Sequence, residues 1–246
     1  MRREETNWYS ERLLEHMPIA TWGHNGWPIL MLPTAAADYL EYERFQLIDV
    51  MRPWIDAGKI RVYSVNSVNN RSLMNRRASP EVRIELQKRY DGYLTDEVLP
   101  FIRDDCPGYE NVYPLVMGIS LGGYLAANTF FKHPELFGGA ILYSGTYDIK
   151  NYLGGFYSDD VYFNNPMDFL RSMSHGSQLD ALRADGKSII LYSGQGDYEA
   201  PDRTRSLSNL LNAKGIRHAL DLWGHDVNHD WPWWRKAIEH HLHWLV

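Results

Sequence analysis

Tyr113-Pro-Leu-Val-Met-Gly118-Ile-Ser120-Leu-Gly122-Gly-Tyr-Leu-Ala-Ala runs from an apolar segment into a helical pattern, and its centre fills the G-x-S-x-G pattern of a strand-to-helix nucleophile turn. A serine on such a turn takes a strained backbone, and small residues two positions either side let strand and helix approach until Oγ projects into a cleft. The helix aims its N-terminus at the reacting centre, so the Leu121 N–H is expected to donate to a developing oxyanion. A neutral serine hydroxyl is a poor nucleophile near pH 7. It needs an imidazole to take its proton, and the imidazole needs a carboxylate to fix its tautomer and stabilise its cation.

Around this kind of turn the chain order is serine, acid, histidine. After Ser120, the apolar run Ser188–Ser193 ends in Gly194-Gln-Gly-Asp197-Tyr-Glu199, which makes Asp197 the leading acid and Glu199 the fallback. The next loop, Leu222-Trp-Gly-His225-Asp-Val-Asn-His229-Asp-Trp-Pro, offers two bases. His229 precedes Asp230-Trp231-Pro232, a helix start with proline in its first turn and a rigid place to hold an imidazole. His225 is the competitor, or else a residue that lines the pocket or orients the loop. His225, Asp226, His229 and Asp230 also read as a metal ligand set. Gly224 and Pro232 interrupt the helix that this spacing would use, and a metal leaves Ser120 unexplained, so neither metal nor cofactor is expected.

A second oxyanion donor should follow an early strand, where Leu30-Met-Leu-Pro33-Thr34-Ala35-Ala36-Ala37-Asp38 puts small residues in a loop. Ala35 is the candidate, with Thr34 or Ala36 as alternatives; Pro33 has no N–H to give. Aromatics make up 13% of the chain, with 9 Trp and 16 Tyr. Tyr124 and Trp231, with His225, are expected at the substrate, while about half of the aromatics near the motifs are expected in core packing.

These groups need elements to hold them. Dense apolar runs predict strands at Glu15–Trp22, Pro28–Leu32, Ile60–Val65, Tyr113–Gly118, Gly139–Ser144, Ser188–Ser193 and Ala219–Trp223. Apolar residues at three- and four-residue spacing predict helices at Tyr39–Ala57, Pro80–Arg103, Leu121–His133, Pro201–Lys214 and Trp231–Leu245. His24-Asn25-Gly26 reads as a hairpin turn between the first two strands. The alternation that follows predicts an α/β fold: a three-layer arrangement with a mostly parallel sheet, an antiparallel N-terminal hairpin and helices on both faces. Ligands bind beyond the carboxyl ends of such strands. Residues 147–183, rich in Tyr, Phe, Asn, Asp and Gly, break the rhythm and read as a cap-like excursion from a single domain spanning 1–246.

The 246 residues have a mean hydropathy of -0.43 and no apolar run of the roughly 18 residues that a membrane span requires. A net charge of -6 without a basic stripe argues against nucleic acid or an anionic membrane as partner. The start, MRREETNWYSERLLEHM, has no secretory pattern, so a cytoplasmic protein is expected. The oligomeric state is not legible. Cys106 is the sole cysteine and cannot bridge internally.

Taken together, Gly118-Ile-Ser-Leu-Gly-Gly123, the Gly-Asp197 loop and His229-Asp-Trp-Pro-Trp-Trp-Arg235 resemble the putative-esterase branch of the α/β-hydrolase superfamily, which includes esterase D-like enzymes. The likeness spans about residues 20 to 246. It implies Ser120 as nucleophile, Asp197 as acid and His229 as base, in a serine esterase acting on a small-molecule ester through an acyl-enzyme. The chain departs from relatives in having Leu-Pro-Thr-Ala-Ala where they commonly have a glycine turn, and in the added Gly224-His225-Asp226. Two other readings remain open: an acyltransferase using the same triad with an alcohol or thiol acceptor, and a non-catalytic binding protein of the same architecture.

Overall fold

The computed structural model describes residues 1–106, 108 and 112–246. Its strands are β1 (Arg3–Ser10), β2 (Glu15–Trp22), β3 (Trp27–Leu32), β4 (Ile60–Val65), β5 (Leu115–Ile119), β6 (Gly139–Tyr143), β7 (Ser188–Ser193) and β8 (Ala219–Leu222). Its α-helices are α1 (Glu41–Arg44), α2 (Leu47–Asp56), α3 (Pro80–Tyr93), α4 (Leu99–Asp105), α5 (Leu121–Lys132), α6 (Asp159–Phe163), α7 (Pro166–Ser172), α8 (Ser177–Arg183), α9 (Pro201–Ala213) and α10 (Trp231–Leu245). The strands form one sheet in the order β1-β2-β4-β3-β5-β6-β7-β8, antiparallel at β1/β2 and β2/β4 and parallel elsewhere.

The strand sequences explain the layering. β4, β5 and β6 are buried at every residue, because both faces of the sheet are covered and successive side chains enter opposite cores. Leu30, Leu32, Val116 and Leu142 enter one core with residues of α3 and α5, while Ile29, Met31, Met117 and Ile141 enter the other with residues of α2 and α10. No helix among the described residues is long and apolar enough to cross a membrane.

Local expectations are corrected at four places. β1 was not foreseen: its sequence, Arg-Glu-Glu-Thr-Asn-Trp-Tyr-Ser, is that of a charged, mostly exposed edge strand, with too few apolar residues to register as a strand. The N-terminal hairpin is β1/β2, and Asn25-Gly26 does not join neighbouring strands, since β4 lies between β2 and β3. Gly26 instead takes φ 108° where the chain presses on Lys59, and a Cβ there would lie 2.3 Å from the Lys59 carbonyl carbon. The helix expected over Pro80–Arg103 is interrupted by one π-type turn at Leu94–Val98. Pro100 has no N–H for the carbonyl four residues back, and the wider turn absorbs that loss. Gln46, at φ 62°, likewise divides the helix expected over Tyr39–Ala57 into α1 and α2.

Candidate active site

Ser120 follows β5, near the middle of the sheet, with φ 57° and ψ -119°. A non-glycine residue in that conformation is strained by about 1–3 kcal/mol and persists only where its surroundings fix it. Here the Ser120 N–H donates to Tyr143 O at 2.9 Å, and the Gly123 N–H returns to Ser120 O at 3.0 Å. The glycines at 118 and 122 are required by contact: a Cβ on Gly118 would lie 1.9 Å from Gly122 O, and one on Gly122 would lie 2.3 Å from Leu32 O. Strand β5, helix α5 and the end of β3 therefore meet backbone to backbone. The Leu121 N–H, first in α5, has no helical carbonyl to bond.

His229 comes from the loop after β8 and stands opposite, its Nε2 3.0 Å from Ser120 Oγ. On the other side of the ring, Nδ1 faces a carboxylate oxygen, Glu199 Oε2, at 3.4 Å, an ion-pair distance longer than a good hydrogen bond. That carboxylate is buried, with 1% of its side chain exposed. Its charge is met by two hydroxyls: Ser144 Oγ donates to Oε1 at 2.6 Å and Ser193 Oγ approaches Oε2 at 3.1 Å. Trp234 Nε1 donates to Ser144 Oγ at 3.2 Å, and the Trp234 ring meets the His229 ring edge-on at 4.8 Å.

Asp197, the acid expected from the motif, is exposed, and the carboxylate within ion-pair distance of the imidazole is that of Glu199. Its main chain, not its carboxylate, serves the site: the Asp197 N–H donates to Asn228 Oδ1 at 2.8 Å, and Asp197 O accepts from the His229 N–H at 3.0 Å. Tyr198 then takes φ 63°, and the chain turns there before Glu199. The carboxylate brought to His229 is thus the second acid of the loop.

A sequence signal for the carboxylate's partners went unread. Ile-Leu-Tyr-Ser-Gly occurs twice, at 141–145 and 190–194. The two copies are neighbouring parallel strands in register, Tyr143 beside Tyr192, so Ser144 and Ser193 emerge side by side and each meets one oxygen of Glu199.

Residues 62–245 match the protein family described as "Putative esterase". The chain belongs to that family. This esterase is a carboxylic-ester hydrolase with an α/β-hydrolase-type fold. It shares its fold with a ferulic acid esterase (17% identity, 97% of this chain and 95% of that one, TM-score 0.73). The S-formylglutathione hydrolase of Agrobacterium tumefaciens is similar (16% identity, 98% of this chain and 93% of that one, TM-score 0.73), as is that of Staphylococcus aureus (16%, 99% and 95%, 0.67). No curated protein matches the chain in sequence.

Around Ser120 the esterase has a recess of about 100 Å³, lined among others by Leu121, Ser144, Thr146, Tyr152, Tyr198, Arg203 and His229. Thr146, Tyr152 and Arg203 also line a cavity of about 1180 Å³, whose wall includes much of residues 146–154 with Met167 and Arg171 of α7. Of the two expected oxyanion donors, Leu121 lines the recess and Ala35 does not. The Thr34 N–H is taken by Glu41 Oε2 at 2.9 Å, and Ala36 takes φ 59°.

The residues expected at the substrate are placed elsewhere. Tyr124 is buried in the core beneath α5, its hydroxyl donating to Asn164 O at 2.9 Å. Trp231 stacks on Phe45 at 4.4 Å and 2°, joining the start of α10 to the end of α1. His225 is exposed in the turn before the base. Among the described residues, no group of three or more His, Cys, Asp or Glu could hold a metal ion, so His225, Asp226, His229 and Asp230 do not converge.

Proposed function

We propose that the protein is a serine hydrolase that cleaves carboxylic esters through Ser120, His229 and Glu199 by way of an acyl-enzyme. The observation that carries this reading is the 3.0 Å contact of His229 Nε2 with Ser120 Oγ, with Glu199 Oε2 on the far side of the same ring. His229 Nε2 accepts the hydroxyl proton as Oγ attacks the ester carbonyl, and Glu199 stabilises the imidazolium that forms. The carbonyl oxygen becomes an oxyanion, which the Leu121 N–H at the start of α5 stabilises. Collapse of the tetrahedral intermediate breaks the bond to the alcohol oxygen, and the imidazolium gives it the proton. Water, deprotonated by His229, then attacks the acyl-serine and releases the acid with Ser120 restored.

A fluorophosphonate tests the reading. One adduct mapping to Ser120, absent in Ser120→Ala protein, with aryl-ester turnover lost in the same variant, is the expected result. Labelling at another residue, or undiminished turnover in Ser120→Ala, refutes it.

A further inference from the structure

The large cavity next to Ser120 is cationic in a protein whose net charge is -6. Five basic residues line it against two acidic ones, and both acids are already engaged. Asp148 lies 3.1 Å from Lys150, which also reaches Asp168 at 3.0 Å, and Asp202 pairs with Arg205 at 3.0 Å. The remaining four cations, Arg76, Arg83, Arg171 and Arg203, form no ion pair with a carboxylate among the described residues. Arg83 is buried and held only by main-chain carbonyls, Ser72 O at 3.2 Å and Leu73 O. Burial and the neighbouring charge of Arg76 both push its guanidinium pKa down from the usual value. Unneutralised guanidiniums gathered in a concave wall repel one another, focus a positive potential inward and offer paired donors to carboxylate or phosphate oxygens. Arg203 is shared between this cavity and the Ser120 recess, so the charge begins beside the nucleophile.

We propose that the esters cleaved at Ser120 carry a negatively charged group, a carboxylate or a phosphate, on the part of the molecule that extends past Arg203 into the large cavity. The inference rests on the ester-hydrolase reading above and adds the substrate's charge to it. A neutral ester leaves the guanidiniums unpaired.

Matched esters test it on the purified full chain. One pair places the charge on the acyl side, 4-nitrophenyl hemiglutarate against 4-nitrophenyl valerate. The other places it on the alcohol side, acetyl esters of 3-hydroxybenzoate and of 3-hydroxyphenyl phosphate against phenyl acetate. In at least one arm the charged ester should be favoured by about tenfold or more in kcat/KM at low salt, and the ratio should approach one near about 0.5 M salt. The favoured arm identifies which side of the ester bears the charge and whether carboxylate or phosphate is preferred. Arg203→Gln and Arg76→Gln, both at exposed positions, should each lower that ratio by about fivefold or more. Turnover of neutral and charged esters at equal rates, or a preference that neither variant moves, overturns the anionic substrate while leaving ester hydrolysis standing. Failure of every ester together with failure of fluorophosphonate labelling overturns both.

Discussion

Ser144 Oγ donates to Glu199 Oε1 at 2.6 Å while accepting from Trp234 Nε1 at 3.2 Å, so one hydroxyl ties the buried carboxylate to the ring that packs edge-on against His229. A hydrogen bond to a charged group contributes about 1.5–3 kcal/mol, and removing this one frees a carboxylate oxygen that has 1% of its side chain exposed. Ser144→Ala should therefore lower kcat by about 10- to 100-fold with a smaller change in KM. Steady-state kinetics on an aryl ester read this directly, and an unchanged kcat would show that Ser193 alone holds the acid.

The two acids of the loop should separate cleanly. Glu199→Gln, which keeps the shape and removes the charge, should reduce kcat by about 10³- to 10⁴-fold. Asp197→Asn should change it by less than about threefold, because only the Asp197 main chain engages the base loop. The reverse ranking of the two variants would return the role to Asp197.

His229→Ala should cost at least about 10⁴ in kcat, whereas His225→Ala, in an exposed turn, should cost far less. If the larger loss fell on His225, the base assignment would be wrong.

Alanine at Gly122 cannot be accommodated as the chain stands, since its Cβ would lie 2.3 Å from Leu32 O and 2.7 Å from Pro33 O. The carbonyls are main chain of β3 and the residue after it, so relief requires moving a central strand end. Gly122→Ala should lower stability by about 3 kcal/mol or more, measurable as a shift in the denaturation midpoint at unchanged slope.

Acid stability depends on two buried groups away from the nucleophile. Burial lowers the His241 pKa to about 4 against the opposing charge of Asp221, whose Oδ2 lies 3.1 Å from Nε2; Nδ1 faces Tyr143 Oη. Between pH 6.5 and about 4 the unfolded chain binds a proton that the folded chain refuses, so stability is present above the unfolded value and falls as pH drops through this window. Asp91 extends the loss to lower pH: burial opposes its ionisation, but His133 and Lys132 outweigh burial and hold the pKa at about 2, below the ordinary 3.8. Denaturant titrations should show stability falling by up to about 1.4 kcal/mol per pH unit below pH 6. His241→Gln should flatten the slope above pH 4. A wild-type curve already flat from pH 6.5 to 4 would contradict the neutral buried imidazole.

What the sequence showed, it showed through backbone necessity. Gly118 and Gly122 are written into the nucleophile turn because no side chain fits there, and the central strands are legible because burial on both faces makes them continuously apolar. Glu199 was harder, because whether position 197 or 199 faces inward depends on the φ of Tyr198, a backbone torsion that residue identity does not dictate. Tyr124 and Trp231 misled for a related reason. An aromatic near a motif is equally at home in the core beneath it, and Tyr124 packs there while Trp231 stacks on Phe45. The cationic wall was invisible for lack of any local pattern, since Arg76, Arg171 and Arg203 come from three separated segments of the chain.

The loops that follow β7 and β8 are joined main chain to main chain: the Gly196 N–H bonds Val227 O at 2.8 Å, and the His229 N–H bonds Asp197 O at 3.0 Å. Glu199 and His229 thus sit on one stitched pair of loops. Ser120 is held through its N–H to Tyr143 O at the end of β6, next to Ser144, whose hydroxyl donates to Glu199. Nucleophile, acid and base are thereby tied together at the ends of β6, β7 and β8, and the proton has one gap to cross, from Oγ to Nε2.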